Sequence, residues 1–321
     1  MAQQKKEKSL IAKSQSYFGD YLLMLLALCV PAVYYCGRRA VFVLLASVGT
    51  AVFCDLTGGL LFYNKILLRD LCAVFTGTAI ALMMPPTVPY YVPALACVFA
   101  EFAVKIPFGG SMKTPVVPAA AGFAFACVCF PGEVFSFPVS GTSATGQFVS
   151  GTSLAGMLRK SSSLHLDPVS VSDILTGSVS GPMGTACAVV LLGCVVFLIL
   201  RRPRAFLSCF GFILACSVSA LLFPRVNTGA LASLILEICS GSLLFAAVFF
   251  VTDPATSPKK PVYALLYGVY SGILCMLTRY FGIYEEGVCF AVIIANCSWP
   301  VIQSLFDKIS RNGGSPEKEA A

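Results

Sequence analysis

Charge is the scarcest property of this 321-residue sequence. Asp, Glu, Lys and Arg make up 12% of it, against 57% hydrophobic residues, where soluble domains carry about 25% charged and roughly 45–50% apolar residues. With a mean hydropathy of +0.85, a water-soluble globule is excluded. Histidine is almost missing: there is one. The closest cysteine pair, Cys127 and Cys129, points to different faces of a helix, so no metal-ligand set has sensible spacing. A G-x-G-x-x-G dinucleotide fingerprint and a cluster-binding cysteine run are both lacking, so the sequence offers no recognisable dinucleotide or iron–sulfur site. Tryptophan occurs once, yet 25 Phe, 12 Tyr and long aliphatic runs exclude intrinsic disorder.

What is present is a series of apolar runs near 20 residues, the length a helix needs to cross a hydrocarbon core of about 30 Å, and too long for barrel strands. The expected fold class is therefore all-α, a polytopic integral membrane protein of about ten transmembrane helices. The runs cover 20–36, 40–62, 70–85, 89–106, 115–131, 183–200, 205–223, 229–251, 262–281 and 287–306. Of the fifteen cysteines, most sit singly inside these runs and behave as small hydrophobes. The lysine-rich start (Lys5, Lys6, Lys8, Lys13) imitates a secretory signal, but further spans follow without a small-residue cleavage site, so an uncleaved first span is expected.

A cytoplasmic N-terminus puts sixteen of the 22 basic residues inside, among them Lys65, Arg69, Lys105, Arg201, Arg202, Arg204, Lys259 and Lys260. Arg38, Arg39, Arg159, Lys160, Arg225 and Arg279 remain outside. The positive-inside bias favours this orientation, with both termini cytoplasmic. The net charge of +7 then reads as contact with the inner leaflet of the lipid bilayer, with no nucleic-acid partner. The expected organisation is a cytoplasmic segment 1–19, a membrane domain 20–306 and a cytoplasmic tail 307–321. One long outward loop, 131–182, interrupts the membrane domain. Ten of the fourteen residues from Ser140 to Ser153 are Ser, Thr or Gly, in the near-copies SGTSATG and SGTSLAG. A loop of this length is either functional or a flexible spacer.

Ionisable side chains inside a span cost about 2.5–3.5 kcal/mol on insertion scales, so they face protein or cavity. Asp55, Glu101 and Glu237 are the candidates. Asp55 alternatively sits at an interface near its helix end, and Glu101 alternatively pairs with Lys105 at i and i+4. Three polar, Gly- and Pro-bearing segments interrupt the runs: FGGSMKTPVVPAA from Phe108, LTGSVSGPMGTA from Leu175 and VTDPATSP from Val251. Non-helical backbone at membrane depth is tolerated where protein or water satisfies it, so such segments line cavities when they are not ordinary turns.

Four phrases, in chain order, carry a resemblance: RDLCAVFTGTAIALMMPPTVPYYVPAL from Arg69, KIPFGGSMKTPVVPAAAGFAF from Lys105, DILTGSVSGPMGTACAVVLLG from Asp173, and VTDPATSP. They resemble the NqrB/RnfD family, from about Asp55 to the tenth span. The length and short N-terminal segment look more like its RnfD branch, D subunits of the Rnf ferredoxin:NAD oxidoreductase complex, than its NqrB branch. The resemblance implies a fold similar to urea and ammonium transporters. It further implies an FMN esterified through its phosphate to a hydroxyl in the outward loop, within a motif of the form SGAT followed by Pro-Leu. The counterpart here is VSGTSLAGML, Val149 to Leu158. With one residue missing, Thr152 takes the acceptor place and Ser153 that of the proline; ungapped, Ser153 is the acceptor. Thr152 is favoured because Leu154 and Ala155 then keep register, with Ser150 and Gly151 beside it.

The family's other phrases are altered here, to Asp70-Leu71-Cys72-Ala73, Val116-Val117-Pro118-Ala119 and Gly184-Thr185-Ala186. They bear on a second, noncovalent flavin and on ion coordination, whereas the Asp253-Pro254 phrase fits the family best, so Thr252 and Asp253 are the next candidates for lining a flavin pocket. A hydroxyl is a poor nucleophile at neutral pH, so attachment calls for a flavin transferase. The function expected from the resemblance is electron transfer in a complex that couples ferredoxin and NAD to Na⁺ or H⁺ translocation. The partners it implies are other membrane and peripheral subunits, including a second flavoprotein. The competing readings are a small-solute channel, an NqrB-like subunit of an NADH:quinone reductase, and a scaffold with a degenerate flavin site.

Overall fold

The computed structural model describes residues 2–63, 71–110, 112–138, 150–151, 181–185, 187–224, 230–284 and 286–312. Two long helices open the chain, α1 (Ala2–Cys36) and α2 (Arg38–Tyr63). Only Gly37 separates them, at φ 66°, its N–H returning to Val33 O at 2.9 Å. A left-handed residue closing the last turn in this way reverses the chain without a loop. Then come α3 (Cys72–Met83), α4 (Tyr91–Phe99), which continues as a π-helical turn (Ala100–Lys105), α5 (Pro118–Cys129) and the single turn α6 (Pro131–Val134). The strands β1 (Phe137–Pro138) and β2 (Ser150–Gly151) pair antiparallel, and a 3₁₀ turn covers Met183–Thr185. The second half comprises α7 (Ala188–Arg201), α8 (Pro203–Leu222), α9 (Ala230–Cys239), α10 (Leu243–Phe249), α11 (Pro261–Phe281) and α12 (Val288–Asn312).

The chain is a polytopic, helical membrane protein. Five stretches among the described residues are long and apolar enough to cross a bilayer: Gln15–Cys36, Arg38–Phe62, Pro203–Leu222, Pro261–Phe281 and Val288–Ile309. The other five apolar runs form shorter helices. At 1.5 Å per residue, the 12-residue α3 and α5 reach about 18 Å. Proline sets these limits: α3 stops before Pro85-Pro86, and α5 starts on Pro118 and ends before Pro131. Pro203 and Pro261 likewise open α8 and α11, where the missing N–H has no helical partner to lose. The run 229–251, expected as one helix, is broken at 240–242 into α9 and α10.

Small residues hold the helices together, as expected where lipid removes the hydrophobic drive for helix association. α8 and α11 pack backbone to backbone: a Cβ at Gly211 would stand 2.6 Å from Leu265 O, and one at Gly272 would stand 2.7 Å from Phe212 O. Ser47 on α2 donates to Gly77 O on α3 at 2.7 Å and meets Cys97 Sγ on α4 at 3.1 Å. All fifteen cysteines are free thiols, nine of them buried.

Because the helices alternate in direction, the connections fall at two ends. The loop end joins 84–90, the start of the 131–182 segment, 181–187 and 282–287. Thr87 donates to Ser136 O at 2.6 Å, Met183 N–H to Met84 O at 3.2 Å, and the Phe135 and Tyr284 rings stack. The opposite end joins 106–117, 202 and 250–260. There Arg202 pairs with Asp20 at 2.6 Å and lies over the Tyr17 ring, and Ser208 meets Ser257 at 3.2 Å.

Candidate functional site

Ser150 and Gly151 form β2 at the loop end, with Gly151 in register with Phe137 and Ser150 with Pro138. Thr152 and Ser153, the two acceptor candidates, lie outside the described residues, as does most of the 131–182 segment. β1 follows α6, anchored by the Thr87 hydroxyl on Ser136 O. Just before it, Phe135 stacks on Tyr284 with centroids 6.0 Å apart, and Tyr284 stacks on Phe290 at 5.3 Å.

Thr252 and Asp253 sit at the other end. Tyr21 on α1 donates to Thr252 O at 2.9 Å, and the Thr252 hydroxyl donates to Val248 O one turn back. The Asp253 carboxylate accepts the backbone N–H groups of Ala255 (3.1 Å) and Thr256 (3.3 Å), closing the turn that leads through Pro254 toward α11. Burial pushes this carboxyl up to about 7, the two N–H donors pulling the other way. Both side chains are buried. The structure therefore does not bring Thr252 and Asp253 to Ser150 and Gly151. Among the described residues the three polar breaks are not gathered into one cavity: 181–185 packs at the loop end, and 108–110, 112–117 and 251–258 at the opposite end, while residues 175–180 of the second break lie outside the described residues. A groove of about 700 Å³ opens elsewhere, between α8 and α11, lined by Ser219, Phe223, Ile273, Leu277 and Tyr280 among others.

Two clusters of buried charge organise the interior. Near the end of α2, Asp55 meets the Lys105 ammonium at 2.8 Å, and Glu101, one turn before Lys105 in the π-helical stretch, meets it at 3.1 Å. The Glu101–Lys105 pairing is the one that i,i+4 spacing offers, and Asp55 joins it from a neighbouring helix. The second cluster stitches the broken span. Gly241 takes φ 63° between Ser240 and Ser242, which ends α9 and leaves backbone groups without helical partners. Arg279 on α11 donates to Glu237 O at 2.9 Å and to Ser240 O at 3.2 Å. It also reaches Ser240 Oγ at 2.8 Å and the Glu237 carboxylate at 3.5 Å. Glu286 accepts the Ser242 N–H at 3.0 Å and the Ser242 hydroxyl. Charged side chains thus satisfy the non-helical backbone that interrupts an apolar run. Arg279, counted with the external charges in the orientation tally, is buried; the positive-inside count has no term for a cation drawn inward by a helix break. Glu286 lies between the runs 262–281 and 287–306, outside the spans from which the buried-charge candidates were drawn. The Ser-Gly-Ser triplet inside an apolar run was the signal for the break.

The model of the NQR2, RnfD, RnfE family matches residues 11–311. A Yersinia pseudotuberculosis protein, named as the D subunit of an ion-translocating oxidoreductase complex, is 27% identical over 319 residues, covering 88% of this chain and 90% of that one. Proteins of the same name from Alcanivorax borkumensis (28% over 277 residues, 81% and 80% covered) and Pseudomonas paraeruginosa (29% over 251 residues, 73% of each) are similar to it as well. With the match running from α1 into α12, through both charge clusters and the broken span, the chain belongs to the NQR2, RnfD, RnfE family.

Proposed function

We propose that this chain is the D-type membrane subunit of an ion-translocating oxidoreductase complex, and that it carries FMN esterified to Thr152 in the loop 131–182. The family match over residues 11–311 carries the reading, and the names of the relatives specify it. The residues fit the group: two hydroxyl side chains follow a glycine that strand pairing ties to Phe137 at the loop end. Gly151 presents no side chain to a flavin transferase or to a phosphate lying against the backbone. The attached flavin would supply redox chemistry, while the protein supplies placement and electrostatics. Tethering holds it at high local concentration beside its partner. In this reading the loop is extracytoplasmic, a second flavoprotein subunit exchanges electrons with it, and ferredoxin and NAD react on other subunits of the Rnf-like complex. Electron transfer through the assembly is coupled to Na⁺ or H⁺ movement. Thr252 and Asp253, at the opposite end, belong to a separate, noncovalent flavin if one is bound.

In-gel fluorescence of the denatured chain, made in cells containing a flavin transferase, tests the attachment. A fluorescent band lost in Thr152→Val supports the ester at Thr152. A band that survives Thr152→Val and disappears in Ser153→Ala moves it one residue. A dark wild-type band refutes covalent attachment.

A further inference from the structure

We infer that Phe135, Tyr284 and Phe290 form the platform on which the tethered isoalloxazine ring rests, with Tyr284 as a positioning residue. The inference depends on the flavin reading above. Its own ground is the geometry of three rings drawn from two distant parts of the chain. Phe135 and Tyr284 lie 6.0 Å apart with planes at 25°, and Tyr284 and Phe290 lie 5.3 Å apart at 12°. Among the described residues one other ring pair is near-parallel, Phe99–Phe125 at 6°; the rest are tilted or edge-on, as packing in a core favours. Two near-parallel contacts in succession make a ladder, a surface that a flat heteroaromatic ring extends by stacking.

The ladder also stands where a flavin attached after Gly151 would be found. Phe135 precedes Phe137 by two residues, which places their Cα atoms no more than about 7 Å apart, and Phe137 is in register with Gly151. A ribityl phosphate arm is long enough to cross that distance. Phe135 and Tyr284 are half-buried, so neither is sealed in the core at the loop end. Tyr284 and Phe290 flank the loop in which the Glu286 carboxylate is fixed by Ser242, which holds the platform against the helix break. A ladder of flat rings orients an isoalloxazine stacked on it and shields one of its faces from water, and Tyr284, in contact with both phenylalanines, holds the ladder together.

The test uses full-length protein, flavinylated in the host and purified in detergent. It reads flavin fluorescence per mole of covalent flavin, visible circular dichroism and midpoint potential. Wild type is expected to show a quenched, dichroic flavin. Tyr284→Ala and Phe135→Ala are each expected to raise fluorescence about two- to tenfold, the change in stacked population that loss of one aromatic contact brings. Both should also lose visible dichroism and shift the potential, while Tyr284→Phe retains the wild-type signature. Phe135→Leu keeps apolar volume without a flat ring and serves if an alanine variant is not recovered. Covalent flavin at wild-type occupancy with unchanged fluorescence, dichroism and potential in the ring-removing variants overturns the platform and leaves the attachment standing. A wild-type chain without covalent flavin overturns both.

Discussion

Replacing Lys105 by Met would remove the cation that Asp55 and Glu101 share, at 2.8 and 3.1 Å. Glu101 and Lys105 are buried, and the Asp55 side chain is 19% exposed. The lost Coulomb attraction is the smaller part of the damage. Two carboxylates are left facing each other in a low-dielectric interior, and breaking a buried pair by removing one member costs about 3–5 kcal/mol. At roughly 2 °C per kcal/mol, the low end of the range for chains of 150–250 residues, the apparent Tm falls by about 6–10 °C. The control is the triple variant Asp55→Asn, Glu101→Gln, Lys105→Met. Removing all the charges of the cluster together avoids the uncompensated buried charge that makes the single deletion costly, so the triple variant should recover most of the loss. Thermal unfolding in detergent, followed by intrinsic fluorescence, measures both. A single variant within about 1 °C of wild type, or a triple variant as unstable as the single, would refute the reasoning.

Three further outcomes are expected. Gly241 and Gly37 both take positive φ, at 63° and 66°, but a Cβ on Gly241 runs into the Glu286 carboxylate while one on Gly37 meets nothing within 4 Å. Gly37→Ala should therefore cost only the left-handed backbone penalty of about 1–2 kcal/mol, and Gly241→Ala clearly more, read as a larger drop in Tm. The Asp253 carboxyl is raised from 3.8 to about 7 by burial, so the native state holds its proton where the unfolded chain has released it. Stability from this group is then greatest below pH 4 and declines as pH rises to 7. Asp253→Asn, which keeps an acceptor for the Ala255 and Thr256 N–H groups, should flatten the Tm profile between pH 4 and 7; an unchanged slope contradicts this. Arg279→Met leaves Glu237 buried beside a helix break and should reduce Tm by an amount like that of Lys105→Met, whereas an effect below about 1 °C would show that the break needs no charged partner.

The membrane class and most helix positions were readable from the sequence, because a series of apolar runs of bilayer length is soluble in lipid and not in water. The Glu101–Lys105 pair followed from helical spacing alone. Asp55 did not, since its approach to Lys105 depends on how α2 packs against the π-helical stretch. The break at 240–242 was marked by Ser240-Gly241-Ser242 and Glu237 but outweighed by the apolar residues of the run 229–251, and Glu286 was missed because it lies between two runs. The separation of Thr252 and Asp253 from Ser150 and Gly151 was available from parity. The runs 183–200, 205–223 and 229–251 intervene, an odd number of crossings, which puts the two groups at opposite ends. Resemblance grouped them by chemistry and said nothing of depth.

The most direct measurement is the intact mass of the full-length polypeptide purified from its native membrane, followed by fragmentation across Val149 to Leu158. Added mass equal to one esterified flavin mononucleotide, localised to Thr152, is the expected result. An unmodified chain, or a modification outside that stretch, contradicts the assignment.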